Sequence, residues 1–335
     1  MKKGITFDKY TIKLILRNSY CTQIQVFNLN HKIMTDKKLY DVIIIGGSFA
    51  GLSAAMALGR SLRKTLVIDG GKPCNLQTPH SHNFLTQDGK TPEEISSIAK
   101  DQVQQYDSVH FYDGIADSAK KTNEGFEIMT DKGEQFKSKK LILATGISDN
   151  VPDIKGFSES WGISLINCPY CHGYEYRNKK TGIIANGDKA YHLVPLVKNL
   201  THNVTVFTRG KASFSEEQKE KLNRHDIEII ETEISELKHE NGQVKSLLLD
   251  DGKEIDFDAF YASFPFQQHS DIAENLGCEL TERGHIKTDH AQKTNIPGVF
   301  VCGDNSSMTR SVSSAIMTGN VAGAVVNMEL ATENF

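Results

Sequence analysis

The chain has 335 residues, 39% of them hydrophobic, and a formal net charge of −4. That length and content allow large cores and suggest two domains, and so small a charge gives no electrostatic reason to expect nucleic acid or an anionic membrane as a partner. The six cysteines form no dense framework of the secreted kind, and no apolar run is long enough to span a bilayer, so we expect a cytoplasmic protein.

The first 33 residues fit no periodic helix or strand pattern. Met34 is therefore a candidate true start, and the preceding residues, 1–34 in our domain division, are expected to be a disordered extension or a misassigned start. The alternative for this segment is an added strand or helix.

The first recognisable unit has the pattern of a dinucleotide-binding βαβ fold. An apolar run at Leu39–Ile45 predicts a strand, the small residues of Ala50–Leu62 predict a helix, and Lys64–Ile68 predicts a second strand. Asp69 follows that strand, where a carboxylate can accept a hydrogen bond from a ribose hydroxyl.

The turn between the first strand and helix carries the glycine fingerprint G-x-G-x-x-G with one departure, since Ser48 replaces the middle glycine. Gly46 permits the tight turn, Gly51 lets the helix approach the strand, and the helix N-terminus would stabilise a pyrophosphate. The turn reads Gly46-Gly47-Ser48-Phe49-Ala50-Gly51.

A polar, proline-punctuated loop follows and contains Lys72 and Cys74. His80 and His82 in this loop are expected to be solvated, and Cys74 is expected to be a packing residue, as are Cys278 and Cys302. The next elements are a helix capped by Thr91 and short strands, at Pro92–Tyr106, Val109–Tyr112, Gly125–Thr130 and Lys140–Leu143.

A second βαβ pattern indicates a distant internal duplication. It consists of a strand, a turn, a helix and a strand, at Gly182–Ile184, Ala185–Ala190, Tyr191–Leu200 and Asn203–Thr208. Only Gly187 remains of its fingerprint, and Arg209 is a candidate contact for a 2′-phosphate. A structural unit that has lost its nucleotide is the open alternative.

The stretch Asn167 to Glu175 holds Cys168-Pro169-Tyr170-Cys171-His172. Pro169 suits the first position of a helix, which places Cys168 at the N-cap and Cys171 one turn inside, where a helix N-terminus lowers a thiol pKa. His172 can then move a proton. From the motif alone, a redox couple, a c-type haem attachment site, half of a zinc site and a buried inert pair stay open.

Further strands are predicted at Ile227–Glu231, Val244–Leu249, Ala259–Ser263 and Gly298–Cys302. The last of these runs into Gly303-Asp304, and a small-residue helix is predicted from Ser311 to Met328. A carboxylate at a strand end beside a helix N-terminus is typical of a site for a polar cofactor.

Together these elements resemble the low-molecular-weight thioredoxin reductases, a family of flavin disulfide oxidoreductases, over about residues 38–330. The resemblance lies in their order: the fingerprint at 46–51, Ala144-Thr145-Gly146, the Cys-x-x-Cys, and Pro297 to Asp304. It implies an α/β fold with two Rossmann-like, three-layer units. An FAD-binding domain of 35–150 and 265–335 would enclose an NAD(P)-binding-like domain of 151–264 that carries the cysteines.

The resemblance also implies a set of site residues. Cys171 would face the flavin, Cys168 would attack the external disulfide, and His172 stands where the family has its acid/base aspartate. Arg310-Ser311-Val312 stands where the family has Arg-Gln-Ala, so their backbone N–H groups would face the flavin. The remaining residues implied to bind cofactor are the fingerprint 46–51, Asp69, Lys72, Asn83, Thr145, Gly146, Gly303 and Asp304, with Gly187 and Arg209 for NADPH or NADH.

The sequence around His172 is more similar to the branch containing gliotoxin- and holomycin-type dithiol oxidases, so two functions stay open. One is an NAD(P)H-driven reductase of a thioredoxin-like protein or a small disulfide; the other is a nicotinamide-independent oxidase that passes electrons from a small dithiol through FAD to oxygen. A flavin-bearing sensor without turnover is a third. No second Cys-x-x-Cys completes a zinc set, so no metal is expected, and the family implies a homodimer.

Overall fold

The computed structural model describes residues 39–335, so the extension predicted at 1–34 lies outside the described part of the chain. The strands are β1 Leu39–Ile45, β2 Thr65–Asp69, β3 Val109–Asp113, β4 Ala116–Thr122, β5 Gly125–Thr130, β6 Gln135–Leu143, β7 Ile147–Asp149, β8 Leu165–Ile166, β9 Thr181–Ile184, β10 Val204–Phe207, β11 Glu228–Ile230, β12 Ile234–Glu240, β13 Gln243–Leu249, β14 Glu254–Asp256, β15 Ala259–Ala262, β16 Phe266–Gln268 and β17 Val299–Val301. The helices are α1 Phe49–Arg60, α2 Pro92–Gln104, α3 Phe157–Ser160, α4 Pro169–His172, α5 Gly187–Lys198, α6 Glu216–Arg224, α7 Ile272–Asn275 and α8 Val312–Glu333.

The first sheet is built around β1 and β6, which pair in parallel. Strands β2 and β3 extend it beyond β1, while β6 carries β17 along its C-terminal half and the antiparallel β5 along its N-terminal half. Because side chains alternate across a strand, Val42 and Ile44 pack with α1 on one face, and Ile43 and Ile45 pack in a second core on the other. This sheet is therefore the middle of three layers.

The second sheet has the order β11-β10-β9-β15-β8 and is parallel throughout. Its strands are apolar on both faces, as buried parallel strands are. Val194 and Val197 of α5 pack on one face. On the other face, Leu237 and Leu247 of the antiparallel β12-β13-β14 sheet pack against the second sheet.

The second sheet lies between two parts of the first along the chain, after β6 and before β17. Where the chain leaves the first unit and where it returns, β7 and β16 pair antiparallel, with Asp149 opposite Phe266. The predicted fold class, an α/β chain of two Rossmann-like units with the second inserted in the first, is confirmed by this topology and by the structural neighbours described below.

Several elements differ from the sequence-based expectation. Helix α5 begins at Gly187, because Asn186 caps it, and so the predicted turn includes its first turn. Strands β4 and β12 are rich in charged residues and were not predicted. Each is the edge strand of its sheet and pairs antiparallel with its one neighbour, an arrangement in which one face can be solvated. Within residues 39–335, no helix is long and apolar enough to cross a membrane.

Candidate active site

The two cysteines of the Cys-x-x-Cys motif form a disulfide at the start of α4, with their Cα atoms 5.3 Å apart. Cys168 is the N-cap residue and Pro169 the first helical residue, as the sequence predicts. The amide of Cys171 donates to Cys168 Sγ at 3.2 Å. Both cysteines are partly exposed, so the disulfide is accessible to an attacking thiolate.

His172 follows the disulfide directly and is partly buried. Burial lowers the pKa of His172 below its ordinary value of 6.5; Glu175 opposes this shift and His82 adds to it. The imidazole is therefore neutral near pH 7 and can accept a proton from a thiol.

His82 is not the solvated loop histidine that the sequence suggested. Its Nε2 atom lies 3.6 Å from Oε1 of Glu175, and its side chain is only 22% exposed. Its Nδ1 atom faces Asp88 at 3.4 Å. The loop after β2 thus contacts the segment that carries the disulfide, a pairing between distant residues that no local pattern signals.

The glycine turn after β1 has the geometry that its fingerprint predicts. Gly46 has a φ of +104°, and its amide donates to the Ile68 carbonyl at 2.8 Å. A Cβ atom on Gly51 would overlap the carbonyl of Gly46, so only glycine lets α1 approach the turn. The Gly47 amide donates to Asp69 Oδ1 at 3.0 Å, so one oxygen of Asp69 fixes the turn and the other is left for a ribose.

Helix α1 presents its N-terminus with Ser48 at the N-cap, and the Ser48 side chain makes no capping hydrogen bond. Phe49 and Ala50 are buried in the first turn. Gly319 of α8 packs so closely on Ala50 that a Cβ atom would overlap its backbone, which holds the first turn of α1 in place. An uncapped helix N-terminus beside a glycine turn is suited to a pyrophosphate.

Asp304, Arg310 and Asp149 form a charged cluster at the end of β17. Arg310 donates to both carboxylate oxygens of Asp149, at 2.7 and 2.9 Å, and its Nε lies 3.8 Å from Asp304 Oδ2. Burial raises the pKa of Asp304, and Arg310 opposes that rise. Asp149 is the last residue of β7, the strand where the chain leaves the first unit. The cluster therefore links that strand to the candidate cofactor site.

Cys74 belongs to this cluster and is exposed, so the expectation that it packs in a core is wrong. Its Sγ lies 4.0 Å from Asp304 Oδ2. Although its surface is open to solvent, the surrounding protein raises the pKa of Cys74 to about 11, with Asp304 adding to the rise. Cys278 and Cys302 are buried, as expected.

Asn305 was missed by sequence reasoning and lies fully buried between β6 and β17. Its Nδ2 donates to the Leu143 carbonyl at 3.0 Å and to Thr145 Oγ1 at 3.1 Å, while its Oδ1 has no hydrogen-bond partner among residues 39–335. Gly146 next to Thr145 has open space where a Cβ would point. A buried acceptor that lacks a donor within the protein would be satisfied by a donor from a polar cofactor.

The other residues predicted to bind cofactor lie between β17 and the start of α8 or in the loop after β2. Gly303 is buried, and its amide donates to Thr318 Oγ1 at 3.0 Å. Ser311 caps α8 by accepting from the Ser314 amide at 3.1 Å, and Val312 begins that helix. Lys72 and Asn83 are exposed in the loop. The glycine turn, the uncapped helix and the orphaned Asn305 oxygen together fit FAD.

The equivalent position in the second unit is filled by the protein itself. Asn186 caps α5, and its Oδ1 accepts from the Gly187 amide at 2.8 Å and from the Ser213 amide at 2.8 Å. Its Nδ2 donates to the Lys211 carbonyl at 2.9 Å. The 211–213 segment is thereby held across the helix N-terminus, where a pyrophosphate would bind.

Arg209, the candidate phosphate contact, lies near carboxylates rather than in an open anion site. Its Nε lies 3.4 Å from Glu233 Oε2 and makes no hydrogen bond to any residue of the described part, 39–335. Glu231 accepts from the Ala212 amide at 2.7 Å, and Asp188 lies in the first turn of α5. Lys189 and Lys211 lie in the same segments as these carboxylates, so the local charge is mixed. The 211–213 segment, which Asn186 holds across the helix N-terminus, is what does not fit NADPH or NADH.

The chain matches the family described as "Pyridine nucleotide-disulphide oxidoreductase" over residues 40–321. It is 32% identical to thioredoxin reductase tcpT of Claviceps purpurea, with 89% of this chain and 96% of that protein covered. It is 31% identical to thioredoxin reductase sirT of Leptosphaeria maculans, with 88% and 95% covered.

A similar fold occurs in a crystal structure described as the oxidoreductase from Agrobacterium tumefaciens. The two chains are 35% identical and superpose with a TM-score of 0.82, over 88% of this chain and 99% of that one. The similarity therefore extends over both Rossmann-like units and includes the segment that carries the disulfide.

Proposed function

Because this chain belongs to the pyridine nucleotide-disulphide oxidoreductase family and is a flavin-dependent oxidoreductase of the thioredoxin reductase type, we propose that it oxidises a small-molecule dithiol to a disulfide. The electrons pass through the Cys168–Cys171 pair to FAD and then to oxygen. NADPH and NADH take no part in this cycle.

One observation carries the choice of direction: Asn186 holds Ser213 and Lys211 over the N-terminus of α5. In a nicotinamide-driven reductase that helix end must accept a pyrophosphate. Here the Asn186 side chain and the segment it binds occupy the place of the pyrophosphate. Glu231 binds the Ala212 amide of that segment, and Glu233 lies beside Arg209. Without a nicotinamide donor, the dithiol is the source of electrons.

The cycle then uses the disulfide and His172 as follows. The exposed disulfide receives the substrate thiolate at Cys168 Sγ, and Cys171 leaves as a thiolate. His172, neutral because burial lowers its pKa, accepts the proton of the attacking thiol. The second substrate thiol attacks the mixed disulfide and releases Cys168, so that one substrate S–S bond forms and two electrons remain on the cysteine pair.

FAD, when bound, accepts these two electrons and delivers them to oxygen. We assign its binding to residues 35–150 and 265–335, and the disulfide to the inserted 151–264. The α1 N-terminus would hold the pyrophosphate, Asp69 the adenosine ribose, and Asp304 the ribityl chain. The geometry of Gly46, Gly51 and Asn305 supports this assignment.

Oxygen uptake tests the proposal. With dithiothreitol as the dithiol and no nicotinamide present, the FAD-loaded protein should consume oxygen and form cyclic disulfide in equal amounts. Cys171→Ser is the inactive control. Oxygen uptake that needs added NADPH, or reduction of a disulfide at the expense of NADPH, would contradict the proposal.

A further inference from the structure

His82 is held between two carboxylates. Its Nδ1 atom lies 3.4 Å from Asp88 Oδ2, and its Nε2 atom lies 3.6 Å from Glu175 Oε1. Asp88 is itself fixed, because its other oxygen accepts from the Asn83 amide at 2.7 Å. Both ring nitrogens therefore face a carboxylate oxygen, and the imidazole lies between two groups with which it can exchange a proton.

These residues form a row that begins beside the disulfide. Glu175 lies three residues after His172, and the pKa of His172 responds to both Glu175 and His82, so the three side chains are within electrostatic range. Along the row from His172 the exposed fraction is 39% at Glu175, 22% at His82 and 63% at Asp88, so the outer end of the row is open to solvent. A proton that reaches His82 is therefore one step from solvent.

The chemistry supplies a reason for a second base. Oxidising a dithiol breaks two S–H bonds, forms one S–S bond in the substrate and breaks the Cys168–Cys171 bond. Two electrons stay on the cysteine pair and two protons leave. One neutral imidazole accepts only one of these protons at a time, so a second base that takes the proton from His172 makes His172 available to the second thiol.

We propose that His82 and Glu175 form a proton relay that receives the proton from His172 and passes it to solvent through the loop bearing Asp88. In this relay Glu175 positions the two histidines, and His82 holds the second proton of each turnover. The proposal rests on the dithiol oxidation proposed above, and in disulfide reduction the same relay would run inward.

Other titratable groups near the relay do not replace it. His80 lies with its ring centroid 6.4 Å from that of His82, but its Nδ1 pairs with the Gly89 carbonyl at 3.0 Å. Tyr176 and Tyr261 face Glu175, and burial raises the pKa of both phenols. They stay protonated at neutral pH and cannot take up a thiol proton.

The test follows the anaerobic reduction of the flavin by dithiothreitol in the FAD-loaded protein. His82→Ala should slow this step about 10-fold in dilute buffer, and added imidazole should restore the rate. Glu175→Gln should slow it without rescue. His80→Ala, the matched change in the same loop, should leave the rate unchanged.

The pH dependence of the flavin-reduction rate distinguishes a role in proton transfer from a purely structural role. Because Glu175 raises and His82 lowers the pKa of His172, Glu175→Gln should displace the acid limb of the rate to lower pH. His82→Ala should displace it to higher pH. His82→Gln keeps a polar side chain of similar size and should show the same loss, provided that its flavin spectrum matches the parent's.

Different results would contradict the relay and the proposed direction of electron flow. If dithiothreitol reduces the parent flavin and His82→Ala behaves like His80→Ala in rate, buffer dependence and pH profile, the relay is wrong and the dithiol oxidation stands. If only NADPH reduces the parent flavin, the proposed direction is wrong. The same variants are then compared in disulfide reduction, where equal rates would also overturn the relay.

Discussion

The side-chain oxygen of Asn186 lies 2.8 Å from the amide nitrogen of Ser213 and accepts its hydrogen. The same oxygen caps α5 through the Gly187 amide. One amide side chain thus joins two segments that would have to separate to admit a dinucleotide. In the first unit, by contrast, the N-cap Ser48 leaves its helix end uncapped.

Replacing Asn186 by alanine should lower the free energy of unfolding by about 1–2 kcal/mol, because a helix cap and the anchor of the 211–213 segment are lost. Chemical denaturation of the FAD-loaded protein measures this change. Asn199→Ala, at the other end of α5, should have a smaller effect. An Asn186→Ala protein as stable as the parent would show that the cap contributes little.

Cys171→Ser should keep FAD but stop turnover, with a loss on the order of 10³-fold or more. The Cys168 thiolate of this variant can still attack the disulfide form of the substrate, so incubation with that oxidised form should give a mixed disulfide that is visible by mass spectrometry. Cys168→Ser should accumulate no such adduct, since the residue assigned to interchange is gone. An adduct in Cys168→Ser alone would reverse the assignment of the two cysteines, and equal adducts in both variants would contradict a single interchange thiol. Cys278→Ser serves as the control.

His172→Asn should reduce the rate of thiol exchange by about 10²–10⁴-fold, the usual contribution of a general base. In the parent protein the rate should rise with pH through a pKa below 6.5 and then level, because burial favours the neutral imidazole. Stopped-flow rates between pH 5 and 8 measure both effects. An acid limb that persists unchanged in His172→Asn would assign that pKa to another group.

The same shift has a consequence for stability. Since the pKa of His172 is depressed in the folded state, its contribution is fully present above about pH 6.5 and is lost as pH falls through the lower folded pKa. Thermal melting of the parent and of His172→Asn should therefore converge or cross as the buffer becomes acidic.

Asp149→Asn should remove the charge that Arg310 pairs with and leave that guanidinium beside Asp304 alone. The pair is mostly buried, with side chains 24% and 10% exposed, so breaking it should cost about 3 kcal/mol and speed the release of FAD. Flavin fluorescence on dilution measures the release. Asp153→Asn, an exposed change nearby, is the matched control, and a similar release rate in both would separate the pair from cofactor retention.

The sequence predicts those features that depend on neighbours in the chain. Both βαβ patterns, the cap at Thr91 and the position of Cys168 before Pro169 are local, and each agrees with the structure. The contact of His82 with Glu175 and that of Asn186 with Ser213 join residues from separate segments. No spacing rule brings such pairs together, because only the packed fold sets the distance between them.

Arg209 illustrates the same limit. A basic residue after the second strand of a βαβ unit is typical of a 2′-phosphate contact, but its partner here is Glu233, whose position depends on the turn between β11 and β12. The electrostatic potential at a site is the sum of the charges that several loops bring to it. One residue's place in a motif therefore predicts a role only when the neighbouring loops are known.

An anaerobic titration of the oxidised, FAD-loaded protein, followed by flavin absorbance, tests most directly whether a dithiol or a nicotinamide reduces the flavin. We expect dithiothreitol to bleach the flavin through the cysteine pair, and NADPH and NADH each to leave it unchanged at concentrations that reduce a nicotinamide-dependent relative. Rapid bleaching by either nucleotide would contradict the closed second site and the direction of electron flow proposed from it.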